Sequence, residues 1–297
     1  MNPDEHLLDL VFGWLRPYQL ELLRDDSRYR IVLKSRQIGI SDAIALEMVL
    51  VASGLMPGVL THNCIVISKT ESDAMDVVDK AREWIRRLSL IPVVRPLLET
   101  SKDTAKELKF SGSGYRIVSQ AQSKDAGRGK TGHLYLDEYA FYAWQRDIWT
   151  GATPATESVE GLRITLVSTP NGTSEHFYEV YSDETKYEDF SRHRIDVHEA
   201  KRQGMPVDIE SMRRKYTAQQ WSQEFECDFL GSENNLFGLE LLREAHVPRR
   251  TTGKTTRYVG IDTASVIDMT ALVVLDEDEA GKVTIGDAYY IESTPYR

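Results

Sequence analysis

Two adjacent acids, Asp137 and Glu138, close the short apolar run His133-Leu-Tyr-Leu-Asp-Glu-Tyr-Ala-Phe141. Carboxylates at the C-terminal edge of a buried strand are expensive unless they bind a cation or move a proton. In phosphate-transfer motors the first such acid helps hold Mg²⁺, and the second orients and deprotonates the attacking water. That assigns Asp137 to a metal and Glu138 to general base catalysis.

Such a pair needs a phosphate site, and the sequence Lys34-Ser35-Arg36-Gln37-Ile38-Gly39-Ile40-Ser41 has the right context for one. It follows the apolar run ending at Leu33 and leads straight into a helical pattern. A phosphate cradle needs inward-pointing backbone N–H groups at a helix N-terminus, a glycine at the sharp bend and a hydroxyl for Mg²⁺ in the first helical turn. Gly39 and Ser41 meet the last two needs, and the whole stretch from Lys34 to Ser41 forms the candidate cradle. The pattern GxxxxGK[ST] is broken twice: Lys34 stands at its first glycine and Ile40 at its lysine. Lys34 or Arg36, at the front of the loop, can supply the missing charge.

Three further segments add candidates. The basic loop Ser123-Lys-Asp-Ala-Gly-Arg-Gly-Lys-Thr131 precedes the acidic strand, and its Arg128 is the candidate for stabilising transition-state charge, in its own subunit or on a neighbour. The strand-like run Leu166-Val-Ser-Thr-Pro-Asn-Gly172 ends in hydroxyls, so Ser168 and Thr169 are candidate γ-phosphate sensors. Near the start, Leu15-Arg-Pro-Tyr-Gln19 carries an amide with both donor and acceptor, which suits an adenine edge.

These groups must be positioned by a sheet. Apolar runs at Tyr29 to Leu33, Cys64 to Ser68, His133 to Leu136 and Arg163 to Val167 read as buried strands. Helical periodicity between them, at Ser41 to Ala52 and Ser72 to Leu88, predicts a mostly parallel α/β sheet with flanking helices. The segment Glu107 to Ser119 reads as a β-hairpin on a surface excursion. From Glu175 to Gly231 the sequence is polar, with helical patterns at Asp208 to Tyr216 and Ala218 to Asp228, and predicts a small helical subdomain. Arg243 to Arg257 is a basic linker. After it, Tyr258 to Asp262, Thr270 to Leu275 and Lys282 to Ile291 predict a three-stranded antiparallel meander, with the acids from Asp276 to Glu279 solvated in a turn.

Composition sets the outer limits. The chain has 297 residues, 41% of them hydrophobic, which suffices for about two domains. Its formal charge of −10 means that a polyanion must be met by a local patch. Two widely spaced cysteines, Cys64 and Cys227, make no disulfide framework or zinc site. No secretory signal or membrane span is legible, and a cytoplasmic address is expected.

In order, LRPYQ, KSRQIGIS, CIVISKTESDAMDVV, GRGKTGHLYLDEYAF, LVSTPNG and WSQEFECDF resemble the ATPase of phage large terminase subunits. The resemblance implies a P-loop fold of the RecA/ASCE type, binding ATP with Mg²⁺. It gives Lys34 and Arg36 the cationic role, Ser41 and Asp137 the metal, Glu138 the base, and Ser168 and Thr169 the coupling of hydrolysis to motion. Ile40 departs from the pattern and leaves the choice between Lys34 and Arg36 open. The last segment is similar to the opening strands of an RNase H-like nuclease, with Asp262, assisted by Asp268, binding Mg²⁺ or Mn²⁺. Domains follow as 1–175 for the ATPase core, 176–242 for its helical subdomain, 243–257 for the linker and 258–297 for the nuclease start.

The other carboxylates of such a nuclease come from later strands, so this chain is expected to hydrolyse ATP without cutting DNA. The implied partners are double-stranded DNA, a small terminase subunit and the portal of a prohead, with a homo-oligomeric ring on that portal, no membrane, and the bacterial host's cytoplasm as location. Two competing expectations are a superfamily-2 helicase or translocase, which also opens with LRPYQ before a P-loop, and a non-hydrolysing nucleotide-gated module, motivated by Ile40.

Overall fold

The computed structural model describes residue 11 and residues 13–230, 255–262, 270–281 and 283–291. The chain divides into two compact units, Met1–Asn234 and Asn235–Arg297. The boundary falls a few residues before the expected linker, of which residues 243–254 lie outside the described residues.

The first unit holds an eight-stranded sheet in the order β3-β4-β5-β2-β6-β7-β1-β8. Its central strands are β1 (Tyr29–Lys34), β2 (Cys64–Ser68), β6 (His133–Asp137) and β7 (Ile164–Ser168). They run parallel, and almost every residue in them is buried. Alternate residues feed opposite faces, as the pleat requires. Val32, Val66 and Tyr135 pack on the side of helices α2 (Ile40–Ser53) and α3 (Glu71–Leu88), while Ile31, Ile65 and Leu134 pack on the other, with Ile148 and Ala152 of α4 (Gln145–Glu157) and Phe177 of α5 (His176–Ser182). Both faces are therefore covered, and the strands read as continuous apolar runs.

Helix α2 is apolar nearly all round and lies in the core, bounded by Gly39 and Gly54, both left-handed at φ +81° and +82°. A buried Arg30–Glu47 pair at 2.7 Å ties β1 to α2, and Thr165 Oγ1 and the Leu22 carbonyl satisfy the rest of the guanidinium. Helix α3 begins at Thr70, whose hydroxyl accepts from the Asp73 amide, and buries the stripe Ala74, Val77, Ala81, Trp84 and Leu88. A short helix α1 (Pro17–Arg24) precedes β1.

Two expectations are corrected. The hairpin of β4 (Glu107–Phe110) and β5 (Arg116–Ala121), extended by β3 (Thr100–Thr104), is no surface excursion, because β5 pairs parallel with β2. Leu108, Phe110 and Ile117 enter the α2/α3 core, while alternate positions face solvent. The region after residue 175 is not only a helical subdomain: β8 (Phe190–Ile195) joins the sheet beside β1 in parallel, so the core runs past that boundary. Its sequence FSRHRI hides a strand because it lies at an edge, where only Phe190 and Ile195 are buried. Helices α6 (Val197–Arg202), α7 (Ile209–Arg213) and α8 (Ala218–Glu226) follow, held by a small cluster of Val197, Trp221 and Phe225.

The second unit contains β9 (Thr255–Asp262), β10 (Thr270–Asp278) and β11 (Val283–Ile291), antiparallel in the order β11-β10-β9. The acids after Leu275 are not all in the turn. Strand β10 continues through Asp278, and Asp276 pairs with Arg257 of β9 at 2.7 Å.

Candidate active site

At the C-terminal end of β1 the chain turns through Ser35 to Gly39 into α2, and outside groups hold this loop. Ser35 donates its N–H to the Ile195 carbonyl at 2.7 Å, and Arg36 its N–H to the Glu224 carbonyl of α8 at 2.9 Å. Tyr18 Oη donates to the Ile38 carbonyl and Gln19 Nε2 to the Gly39 carbonyl, both at 2.7 Å. Gly39 lies at φ +81° and Gln37 at +58°, the latter a left-handed conformation uncommon outside glycine and found at sites where backbone amides are turned to a task. Ile40 occupies the pattern's lysine position with its side chain buried in the α2 core. A long cation there would have to leave that core, so the departure from the pattern is built into the packing.

Strand β6 ends at Asp137, and β7 lies between it and β1. Ser41 Oγ donates to both Asp137 oxygens at 3.3 Å, joining the loop's helix to the acidic strand. Asp137 is 6% exposed, and burial, with the neighbouring Glu138 charge, pushes its carboxyl up to about 6. Tyr142 Oη donates to the Asp137 carbonyl at 3.0 Å and pins the strand end. Glu138 turns out of the strand at φ +56°, where its Oε1 accepts from Lys34 Nζ at 2.7 Å. The two front cations thus part company. Lys34 is 4% exposed and faces Glu138, whereas the Arg36 side chain is 61% exposed and pairs with Glu224 at 3.0 Å, on the rim of the same cleft.

The two hydroxyls of β7 also diverge. Ser168 Oγ is buried and accepts from the Ala140 N–H at 3.2 Å, while Asn171 Nδ2 donates to the Ala140 carbonyl at 2.9 Å. Both therefore grip the short turn that follows Glu138. Thr169 lines the cleft itself. Asn171 was overlooked although it stands in the same short motif.

Two further candidates stand apart from the acids. Arg128 does not line the clefts; its guanidinium is 63% exposed, pairs with Asp125 at 2.9 Å and lies against Gly151 of α4. The cause is Gly127, packed tightly on Ala152 with its N–H bound to Gln120 Oε1, which fastens the loop to α4 rather than over the acids. Gln19 is buried with its amide already engaged, since Oε1 accepts from the Arg16 N–H at 3.0 Å and Nε2 donates to Gly39. It braces the loop from behind.

The loop and the acids enclose two adjoining clefts of 430 and 340 Å³ that share Arg36, Ser41, Lys80 and Glu138. The far wall belongs to α3 and the residues leading into it, and Lys69, Thr70, Asp73, Asp76 and Lys80 there were not anticipated. A helical period distinguishes buried from exposed positions, not which exposed positions face a cleft. In the second unit, Asp262 ends β9 opposite Ala271. Asp268 lies outside the described residues.

Comparison with known proteins adds relatives. The ATPase subunit of the terminase of Escherichia phage P2 is 25% identical over 276 residues, covering 82% of this chain and 43% of that protein. Across the curated relatives matched, the alignments span 37 to 43% of their lengths. Among solved structures, the ATPase domain of the Thermus phage P74-26 large terminase superposes with a TM-score of 0.58 at 21% identity, covering 75% of this chain and 98% of that one. The large terminase of a thermophilic bacteriophage, solved in complex with ADP, gives 0.54 at 16% identity over 94% of this chain and 69% of its own. The fold is thus that of phage large terminase ATPase domains, a mixed α/β fold with a mostly parallel sheet. The family model described as terminase large subunit, T4likevirus-type, N-terminal, matches residues 31–244. That span starts within β1, ends beyond α8 and takes in every cleft residue named above, so the chain belongs to the terminase large subunit family.

Proposed function

We propose that this chain hydrolyses ATP and that the hydrolysis drives double-stranded DNA into a viral prohead. The observation that carries the reading is the convergence of two pairs where the adjoining clefts meet, Ser41 of α2 with Asp137 and Lys34 of β1 with Glu138, across a sheet in which β7 separates β1 from β6. The triphosphate sits against the N-terminus of α2, where helix amides lack intrahelical partners. Lys34 reaches the γ-phosphate from the front of the loop, and Glu138 accepts the proton of the attacking water. Ser41 Oγ and the Asp137 carboxylate fit a Mg²⁺ ion, which commonly binds through one or two protein oxygens together with phosphate and water; when bound it neutralises charge on the phosphates. The raised proton affinity of Asp137 is consistent with a carboxylate suited to a cation. Ser168 and Asn171, gripping the turn after Glu138, relay changes at the γ-phosphate to β7.

Relatives support the packaging role: the phage P2 match is a terminase ATPase subunit, and the thermophilic-phage large terminase was solved with ADP. In this reading the chain works in the cytoplasm of the bacterial host, in a ring on the portal, with a small terminase subunit delivering DNA. Among the described residues no helix is long and apolar enough to cross a membrane. Arg128, remote from the acids of its own chain, serves a neighbouring subunit's phosphates in that ring. Asp262, with Asp268, belongs to an RNase H-like nuclease that takes Mg²⁺ or Mn²⁺. Burial of Ile40 favours a second reading, a nucleotide-gated module without turnover.

ATP turnover by the chain, with and without duplex DNA, decides between them. Turnover that Ser41→Ala lowers at least about 100-fold is the expected result, and no turnover in the parent sinks the motor. Gln19 offers a further check. Gln19→Ala removes the bond to the Gly39 carbonyl and is expected to raise KM for ATP and GTP alike by about tenfold. A selective loss for ATP would return Gln19 to the adenine edge.

A further inference from the structure

We infer that Lys80 of α3 supplies the phosphate-binding cation that Ile40 cannot. The inference rests on the nucleotide reading of the cleft and names a residue outside the loop and acidic motifs. With Ile40 buried, the cleft retains four cations along its walls: Lys34, Arg36, Lys69 and Lys80. Three have protein partners, and Lys34 exchanges its own for the γ-phosphate in the reading above. Lys34 is bound to Glu138 at 2.7 Å, Arg36 to Glu224 at 3.0 Å, and Lys69 lies 5.5 Å from the centre of the Phe141 ring. Lys80 has no ion pair or hydrogen bond among the described residues.

Its position suits the task. The stripe Ala74, Val77, Ala81 and Trp84 fixes the rotation of α3 and sets Lys80 half-buried on the helix shoulder. From there it lines one cleft with Gly39, Ile40 and Ser41 and the other with Asp137, Glu138 and Thr169, so it spans the seam between loop and acids. Its charge is felt on both sides of Ser41, by Asp42 in the first turn of α2 and by Asp137. Asp73 and Asp76 line the same wall, but Asp73 is engaged with the Thr70 hydroxyl, and Asp76, one turn before Lys80, forms no ion pair with it among the described residues. An ammonium on a flexible four-carbon stem, half desolvated and in no ion pair among the described residues, binds a phosphate oxygen through charge-assisted hydrogen bonds.

The test is titration of a fluorescent ATP analogue, and of its ADP counterpart, against the parent chain, Lys80→Gln and Lys80→Arg, in Mg²⁺ and again in excess EDTA. Lys80→Gln is expected to weaken ATP binding at least about tenfold in both conditions, with an unchanged melting temperature, and Lys80→Arg to recover most of the affinity. The EDTA arm separates direct contact from an effect exerted through Asp137 and its metal. A loss confined to Mg²⁺, an affinity within about twofold of the parent, or a loss that accompanies a lowered melting temperature and that arginine does not relieve each overturns the assignment. A parent chain that binds no ATP at all overturns the nucleotide reading itself; a parent that binds ATP no better than Lys80→Gln overturns only the role of Lys80.

Discussion

Glu138→Gln is expected to lower ATP turnover by about 10²- to 10⁴-fold while leaving ATP affinity within about threefold of the parent. The substitution preserves shape and lets the side-chain oxygen still accept from Lys34 Nζ, now 2.7 Å away, but an amide cannot take a proton from water. Glutamine keeps the hydrogen bond, but the Lys34 side chain is only 5% exposed and loses its counter-charge, so a stability loss of about 1–3 kcal/mol is expected. Nucleotide binding separates the result from misfolding: ATP affinity near the parent's together with collapsed turnover in single-turnover kinetics. Turnover within about tenfold of the parent would remove Glu138 from the role of base and, with it, the mechanism built on the β6 acids.

Asp137→Asn is expected to do two opposite things, to make the chain more stable and to disable it. Burial holds the Asp137 carboxyl at about 6 in the folded chain against an ordinary value of 3.8. The folded state therefore binds more protons than the unfolded state between those values, and this group's contribution to stability declines as pH rises from about 4 to about 6. Above that window the full penalty is present, about 3 kcal/mol on the scale of one pH unit per 1.4 kcal/mol. Asparagine has no such titration. The stability difference between variant and parent is expected to be small at pH 4 and about 3 kcal/mol in favour of the variant at pH 8, while turnover falls at least about 100-fold.

The difference, and not the parent's own pH profile, is the quantity to measure, because buried histidines act in the reverse sense. Burial lowers His133 and His176 to about 4 from 6.5, so their contributions are lost as pH falls through that window. Urea melts at the two pH values suffice. A variant no more stable than the parent at pH 8 would mean that the buried carboxylate is compensated by Ser41, Lys34 and Lys80 and carries no excess cost.

Most of the central sheet was legible in the sequence. Strands β1, β2, β6 and β7 are buried on both faces, and a strand so placed must be apolar at nearly every position, which leaves an unbroken run to read. Strand β8 was not, since an edge strand with four polar residues between Phe190 and Ile195 carries no such mark. The hairpin of β4 and β5 was visible as two alternating runs with a Ser/Gly turn between them, but its pairing to β2 was not, because alternation reports one buried face and says nothing of which strand lies alongside.

At the site, the residue types were determined locally. Gly39 is needed where the backbone turns left-handed, Ser41 lies in the first turn of α2, and Asp137 and Glu138 are neighbours in the chain. What those residues meet was decided only by the fold. Lys34 and Glu138 are far apart in sequence and touch because β7 inserts between β1 and β6 and brings their ends into one row. Arg36 was drawn to Glu224 by α8, Arg128 was fastened to α4 through Gly127, and Gln19 was committed to the Gly39 carbonyl. Lys80 looked like any solvated lysine of an amphipathic helix until the packing of α3 turned it toward the loop. The acidic pair with which the chemistry began was thus written in the order of the residues, and its partners were not, because order along a chain specifies covalent neighbours whereas contact across a sheet depends on which strands lie side by side.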